Sequence, residues 1–223
     1  EGGSITYTAS VNNAVTGTPL AITLSNGQTI TIPVGQSSAT SAVFAVRADD
    51  AYAQGTQTLN VGISSISGGN YEALTTTSTA STTVTDDADA TTVTISTATA
   101  TVTEGGSIVY TATTSNPVTG SALVVTLSNG QTITIPVGQS SANSAPWAVR
   151  GDDAYAQGTQ TLNVTATGTT GGNFEAVTRS GTATTTVTDD ADATTVTITA
   201  STANVAEGGS ITYTASVNNA VTG

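Results

Sequence analysis

The sequence predicts an all-β protein made of tandem immunoglobulin-like β-sandwich repeats, and three observations predict it. Apolar residues alternate with Thr, Ser or Asn, as in Ile5-Tyr7-Ala9-Val11, Ile30-Ile32-Val34 and Leu59-Val61-Ile63, which is the period of half-buried strands. Turn signals interrupt these runs about every eight to twelve residues, the spacing of a sandwich. The text also repeats: "EGGSI" begins at Glu1, Glu104 and Glu207, "SNGQTITIPVG" at Ser25 and Ser128, and "DDAYAQGTQTLNV" at Asp49 and Asp152. The period is 103 residues. Residues 1–103 and 104–206 agree at 73 of 103 positions, and 207–223 repeats 1–17 unchanged. A unit this long exceeds any solenoid repeat and is expected to carry its own core.

Within one repeat the strands are expected at 4–11, 20–24, 28–34, 41–47, 56–64 and 79–85, with 91–103 opening the following copy. The segment 4–11 carries the Ile5-Tyr7-Ala9-Val11 alternation, and 41–47 brings Val43, Phe44 and Val46. Asn26-Gly27 separates 20–24 from 28–34 and predicts a tight type I′ hairpin, because both residues tolerate positive φ. Leu59-Val61-Ile63 marks 56–64, while 79–85 and 91–103 are runs of Thr with Val and Ile. Threonine suits these positions, being β-branched for the sheet and polar for its wet face. Seven crossings bring the chain in at one end of the sandwich and out at the other, so copies should follow end to end as a rod. With the link at 86–90, residues 1–87 form a repeat without its first strand, 88–190 a complete repeat, and 191–223 the N-terminal part of a third.

The charge is lopsided. Fifteen acids face three arginines (Arg47, Arg150, Arg179), with no lysine or histidine and a net charge of −12. Such a surface repels nucleic acid and anionic lipid. No apolar run approaches the roughly 20 residues of a membrane helix, and no basic-then-apolar leader opens the chain, so direct membrane insertion is not expected. Cysteine is absent, which excludes disulfides and thiolate metal sites. With methionine absent too, the sequence reads as an internal piece of a longer chain.

"VTDDADATTVTI" occurs at Val84 and again at Val187. Counting crossings places the "EGG" turn, the Asn26-Gly27 turn, the Asp49-Asp50 loop and the 86–89 segment at the exit end of a repeat. Glu72 in "GGNYE" and Glu175 in "GGNFE" lie at the opposite end, facing the exit of the preceding copy. Glu1, Asp49, Asp50, Asp86, Asp87 and Asp89 are therefore expected to gather, with Glu175 approaching them. Glu104, Asp152, Asp153, Asp189, Asp190 and Asp192 repeat the arrangement. Converging carboxylates without a basic partner repel one another and raise their own pKa values. A hard divalent cation relieves this, and calcium (Ca2+) accepts six to eight oxygens in flexible geometry, whereas magnesium holds to stricter octahedra. Lack of His and Cys argues against transition metals. Isolated acidic turns are usually just solvated, but the confinement of all fifteen acids to one repeating set favours calcium. The loop is not an EF-hand, since "DDADATT" lacks the central glycine and closing glutamate.

Through "TVTEGGSIVYTAT", "NPVTG", "LSNGQTITIPVG", "GGNFE" and "TVTDDADATTVTI" the chain resembles, along its whole length, the tandem extender repeats of giant bacterial biofilm adhesins of the Lap and RTX type, secreted by the type I route. It is more loosely similar to Calx-β domains, which share the glutamate-glycine turn, a "DD-x-Y" loop and a terminal aspartate cluster; Ala53-Gln54 and Ala156-Gln157 stand where that family has further acids. The resemblance implies an extracellular, calcium-bound stalk at the bacterial cell surface. Its partners are neighbouring repeats of the same chain, and it projects a ligand-binding domain encoded elsewhere in the full protein.

Two other functions compete. An enzyme would have only carboxylates as acids and bases, and a carboxylate pair can serve a glycosidase; yet each acid recurs once per repeat, as a structural device does. A module binding a surface, a glycan or a like neighbour would use the Thr-rich faces, which alternation already explains. Tyr52 and Tyr155 read as corner-packing residues beside the aspartate loop. "NVT" at Asn163 is a glycosylation sequon, but its counterpart at Asn60 is not, and it is read as chance.

Overall fold

In the computed structural model, which describes residues 1–76 and 78–222, the chain is all-β, with no helix among the described residues and hence none long and apolar enough to cross a membrane. It forms two compact units, Glu1–Thr91 with Asn173–Ala176, and Thr92–Gly172 with Val177–Gly223.

The second unit contains an immunoglobulin-like sandwich. One layer is a four-stranded sheet in the order Ser141–Asn143, Tyr110–Thr114, Ala90–Thr97, Ala176–Ser180, and Ser107–Ile108 pairs with Trp147–Ala148 in a separate two-stranded ladder. The other layer consists of two three-stranded sheets, Thr132–Ile135, Leu123–Leu127, Ala166–Thr170 and Gln160–Val164, Ala183–Thr188, Thr101–Thr103. Alternate residues point inward from both: Val93, Ile95, Tyr110 and Ala112 from the first, Leu123, Val125, Ile133, Val164 and Val187 from the second, all buried. Each such aliphatic side chain contributes about 1.5–3 kcal/mol of hydrophobic stabilisation. The unit ends in a hairpin of Val196–Ala200 with Tyr213–Val217.

The first unit repeats the plan with fewer strands. Thr29–Ile32, Leu20–Leu24, Gln57–Ser67 and Thr79–Val84 form a four-stranded sheet, while Ser4–Ile5 pairs with Phe44–Ala45 and Thr8–Ser10 with Ser38–Thr40. Its core gathers Tyr7, Val15, Leu20, Ile22, Leu24, Ile30, Ile32 and Val61.

The structure corrects several details. The 91–103 segment is two strands, because the chain leaves one sheet after Thr97 and pairs in parallel with the other, Val102 against Val187; strands that change sheets make the corners of sandwiches. The 4–11 strand is interrupted where the amide of Tyr7 donates to Ser41 Oγ, 3.0 Å, in place of a ladder carbonyl. Asn26-Gly27 is not a type I′ turn. Only Gly27 has positive φ, its amide donates to the Leu24 carbonyl, 2.9 Å, and the Gln28 amide donates to Asn26 Oδ1, 3.2 Å. This is the three-residue hairpin, a type I turn closed by a left-handed glycine. The strand Ala176–Ser180 was not anticipated, since "AVTRS" lacks strict alternation.

Candidate functional site

The second residue of "EGG" shapes the site. Gly2 and Gly105 have φ of +67° and +70°, and a Cβ on either would stand 2.9 Å from the Cβ of Asp49 or Asp152. Their amides donate to the carbonyls of Arg47 and Arg150 at 3.0 and 2.9 Å. The turn is thus laid against the arginine-to-aspartate segment, and Glu1 and Glu104 turn inward with side chains 0% and 1% exposed.

The acids do not converge without a basic partner, as the sequence reading expects. Arg47 Nε donates to Glu1 Oε2 at 2.6 Å, and its Nη2 pairs with Asp86 Oδ1. Arg150 does the same with Glu104 at 3.0 Å and Asp189 at 3.2 Å. The other oxygen of Asp86 accepts the amides of Gln54 and Gly55, 2.7 and 3.0 Å, and that of Asp189 accepts the Gln157 amide at 2.8 Å. Asp50 and Asp153 cap the next turn: each accepts the amide two residues on, Tyr52 or Tyr155, at 2.8 Å, and each pairs with Gln54 or Gln157 Nε2. Arg179 is exposed.

Among the described residues, three sets of carboxylates remain close without such partners filling every oxygen. Glu1, Asp87 and Glu175 form one; Asp49, Asp87 and Asp89 a second; Glu104, Asp152 and Asp190 a third, and within each set one oxygen per residue lies within 4.8 Å of the others. Asp87 belongs to two sets. Oxygens bound to one calcium at 2.3–2.6 Å are at most about 5 Å apart, so this spread fits that ion.

Glu175 belongs to the first compact unit, with the rest of Asn173–Ala176. Backbone hydrogen bonds hold the segment: Ala53 N donates to Asn173 O at 3.1 Å and Glu175 N to Ala51 O at 3.2 Å. Phe174 stacks on Tyr52, ring centroids 5.7 Å apart and planes 25° apart. Tyr52 is therefore an aromatic contact of this segment as well as a corner residue. Glu175 Oε2 accepts the Asp89 amide at 2.6 Å, while its Oε1 is enclosed and has no hydrogen-bond partner. A shut-in carboxylate oxygen without a donor is unfavourable unless a cation meets it. Glu72, in "GGNYE", is exposed.

Titration follows the geometry. Asp87, and after it burial and Asp89, push the Asp49 carboxyl above its usual range. Asp190 and Asp192 do the same to Asp152. Burial raises Glu104 with help from Asp189 and against Arg150. For Glu175 the Asp89 amide works downward, but burial and the charges of Asp86, Glu1 and Asp87 prevail and raise it. Asp86 and Asp189 lie lower than usual. At Asp86 burial is outweighed by the Gln54 and Gly55 amides and Arg47, and at Asp189 the Gln157 amide leads. Asp86 and Asp189 are thus favoured as anions, and Asp49, Asp152, Glu104 and Glu175 are short of positive charge.

The LapA domain family model matches residues 1–87 and 89–190. No curated protein matches the chain. Among solved structures it is similar to FdeC, an Escherichia coli adhesin described as broadly conserved and as eliciting protection against urinary tract infections. Identity is 21%, over 98% of this chain and 69% of that one, with a TM-score of 0.28.

Proposed function

The chain belongs to the LapA domain family, and we propose that its repeats are the extender stalk of a secreted bacterial surface adhesin, stiffened by calcium. Membership makes the repeats adhesin-related modules, and it supports reading them as structural parts instead of enzymes. The stalk would stand outside the cell and carry a ligand-binding domain, encoded elsewhere in the full protein, toward its target in adhesion and biofilm formation.

The observation that carries the calcium reading is Glu175 Oε1, enclosed and without a donor beside Glu1 and Asp87. Glu1, Asp49, Asp87, Asp89 and Glu175 would supply the ligands of the first cluster, and Glu104, Asp152 and Asp190, with Asp192 beside them, those of the second. Asp50, Asp86, Asp153 and Asp189 already have oxygens engaged by amides, glutamine or arginine and would shape the loops. Bound calcium brings two positive charges to carboxylates that otherwise repel one another. Glu175 belongs by sequence to the second repeat, while Glu1 and Asp87 belong to the first. Liganding all three would fix the "GGNFE" segment to the preceding repeat and restrict a five-residue link that would otherwise bend freely.

Small-angle scattering tests this. The expected outcome is an extended, stiff particle in millimolar calcium and a flexible one in chelator, with the maximum dimension shrinking. Equal flexibility in both would defeat the stiffening role.

A further inference from the structure

The two Asn-Gly turns carry chemistry that neither the carboxylate clusters nor the stalk reading uses. Asparagine is a labile residue, and the glycine that follows it at Asn26-Gly27 and Asn129-Gly130 leaves the next backbone nitrogen unshielded. In deamidation that nitrogen bonds to the asparagine Cγ, the Cγ–Nδ2 bond breaks, and ammonia departs with the proton the nitrogen gave up. Water then opens the succinimide ring, either at Cγ to give aspartate or at the main-chain carbonyl to give isoaspartate. Backbone geometry imposes the glycine: Gly27 and Gly130 have φ of +86° and +85°, a conformation glycine adopts without strain. Both glycines are exposed, so the turns set a vulnerable dipeptide at the surface.

Hydrogen bonds hold every atom the reaction must move. The attacking nitrogen has to lose its proton, yet Gly27 N donates it to the Leu24 carbonyl at 2.9 Å and Gly130 N to that of Leu127 at 3.0 Å. Each asparagine Oδ1 accepts the amide two residues on, Gln28 or Gln131, at 3.2 Å, an arrangement asparagine favours in turns. The leaving group is held too. Asn129 Nδ2 donates to Gln131 Oε1 at 3.4 Å, and the same two atoms of the first repeat, Asn26 Nδ2 and Gln28 Oε1, are shut off from solvent. The glutamines are tethered in turn, each Nε2 donating to the carbonyl of Ala42 or Ala145 at 3.1 Å.

We propose that Asn26 and Asn129 are latent deamidation sites: the "SNGQ" turn keeps them intact in a folded repeat, and unfolding of that repeat releases them to modification. The mark is irreversible. Aspartate at either position presents an oxygen instead of a donor to the glutamine Oε1, and isoaspartate routes the main chain through Cβ inside a turn that sets the register of its hairpin. A repeat modified while open therefore refolds with a weakened hairpin, and the chain keeps a chemical record of which repeats have opened.

Peptide mapping by mass spectrometry tests this on the 223-residue chain, incubated at mildly alkaline pH both folded and in urea. Both asparagines should convert at least about tenfold more slowly in the folded chain, because conversion there follows the small population of open molecules. Gln28→Ala cuts the tether and leaves the Asn-Gly pair in place. In that variant, shown by thermal melting to be folded at the incubation temperature, Asn26 should convert faster than in the wild type, while Asn129 of the same molecule keeps its wild-type rate. Gln131→Ala should reverse the two. Chains deamidated in urea and refolded should melt at a lower temperature than chains passed briefly through urea. Equal conversion of folded and unfolded wild type, a Gln28→Ala chain whose Asn26 converts as slowly as before, or an unchanged melt after deamidation would each overturn the proposal.

Discussion

Glu1 and Glu104 occupy the same phase of two nearly identical repeats, yet the clusters around them differ. Both are buried and held by an arginine at matching positions. Around Glu1, however, five acids form two overlapping sets that share Asp87, with Glu175 as the extra member; around Glu104 a single set joins Asp152 and Asp190. The difference teaches that each repeat builds its own scaffold for the carboxylates, while the "GGNFE" segment adds Glu175 to the first cluster. The arginine and the amide-capped Asp86 and Asp189 belong to the scaffold. The remaining acids form the variable part.

Removing the scaffold should give the largest effect and erase the comparison. Arg47→Gln leaves the buried Glu1 without its partner, and an unpaired buried carboxylate is strongly destabilising. A fall in Tm of roughly 10 °C in chelator is expected for a unit of this size, and Arg150→Gln should produce a similar fall through Glu104. Thermal melts of both variants check this; an unchanged Tm in either would mean the ion pair is not structural.

Substitutions among the clustered acids should sharpen the comparison. Asp87→Asn removes a ligand from both sets of the first cluster and should weaken calcium binding there about 100-fold, whereas Asp190→Asn should weaken only the second cluster. Glu175→Gln should lower the affinity of the first cluster about tenfold, roughly 1.4 kcal/mol, and leave the second as it was. Calorimetric titration reads all three. Equal effects of Glu175→Gln on both clusters would contradict the assignment.

Much of this was legible in the sequence. Alternation gave Leu20–Leu24 its full extent, and crossing counts brought Glu1, Asp49 and Asp87 together from places far apart in the chain. The arginine partners of Glu1 and Glu104 are less legible, because a lone basic residue in a strand pattern reads as a solvated side chain. Arg47 and Arg150 stand at the same phase, two residues before each "DD" pair, and that recurrence is the signal that a guanidinium is built into the cluster. The capping roles of Asp50 and Asp153 were hidden for another reason: a carboxylate that accepts a local amide and one that is open to a metal are the same letter. The Asn26-Gly27 turn shows the limit of dipeptide rules, since "NG" serves both a two-residue turn and the three-residue loop seen here.

Smaller effects probe the segment that distinguishes the clusters. Phe174→Ala removes the stack on Tyr52 and should destabilise the first unit by about 1 kcal/mol with no change at the Glu104 cluster; a double-mutant cycle with Tyr52→Ala checks that the loss belongs to the pair. Acid titration without calcium should give the smallest and most diagnostic signal. Asp49, Asp152, Glu104 and Glu175 are raised, so the folded state binds more protons than the unfolded chain just above the usual carboxylate values. Stability should therefore rise as pH falls from neutral through that window. Below about 3.8 the lowered Asp86 and Asp189 take up protons more readily when unfolded, and stability should fall again. A Tm that declined steadily from pH 7 downward in chelator would contradict these shifts.

The central claim is that the clustered carboxylates are calcium sites, and equilibrium dialysis of the wild-type chain against radioactive calcium measures it most directly. The account predicts saturable binding at millimolar calcium or below, with the tightest class lost in Asp87→Asn. An absence of saturable binding up to about 10 mM, well beyond the weakest class of extracellular calcium modules, would contradict it.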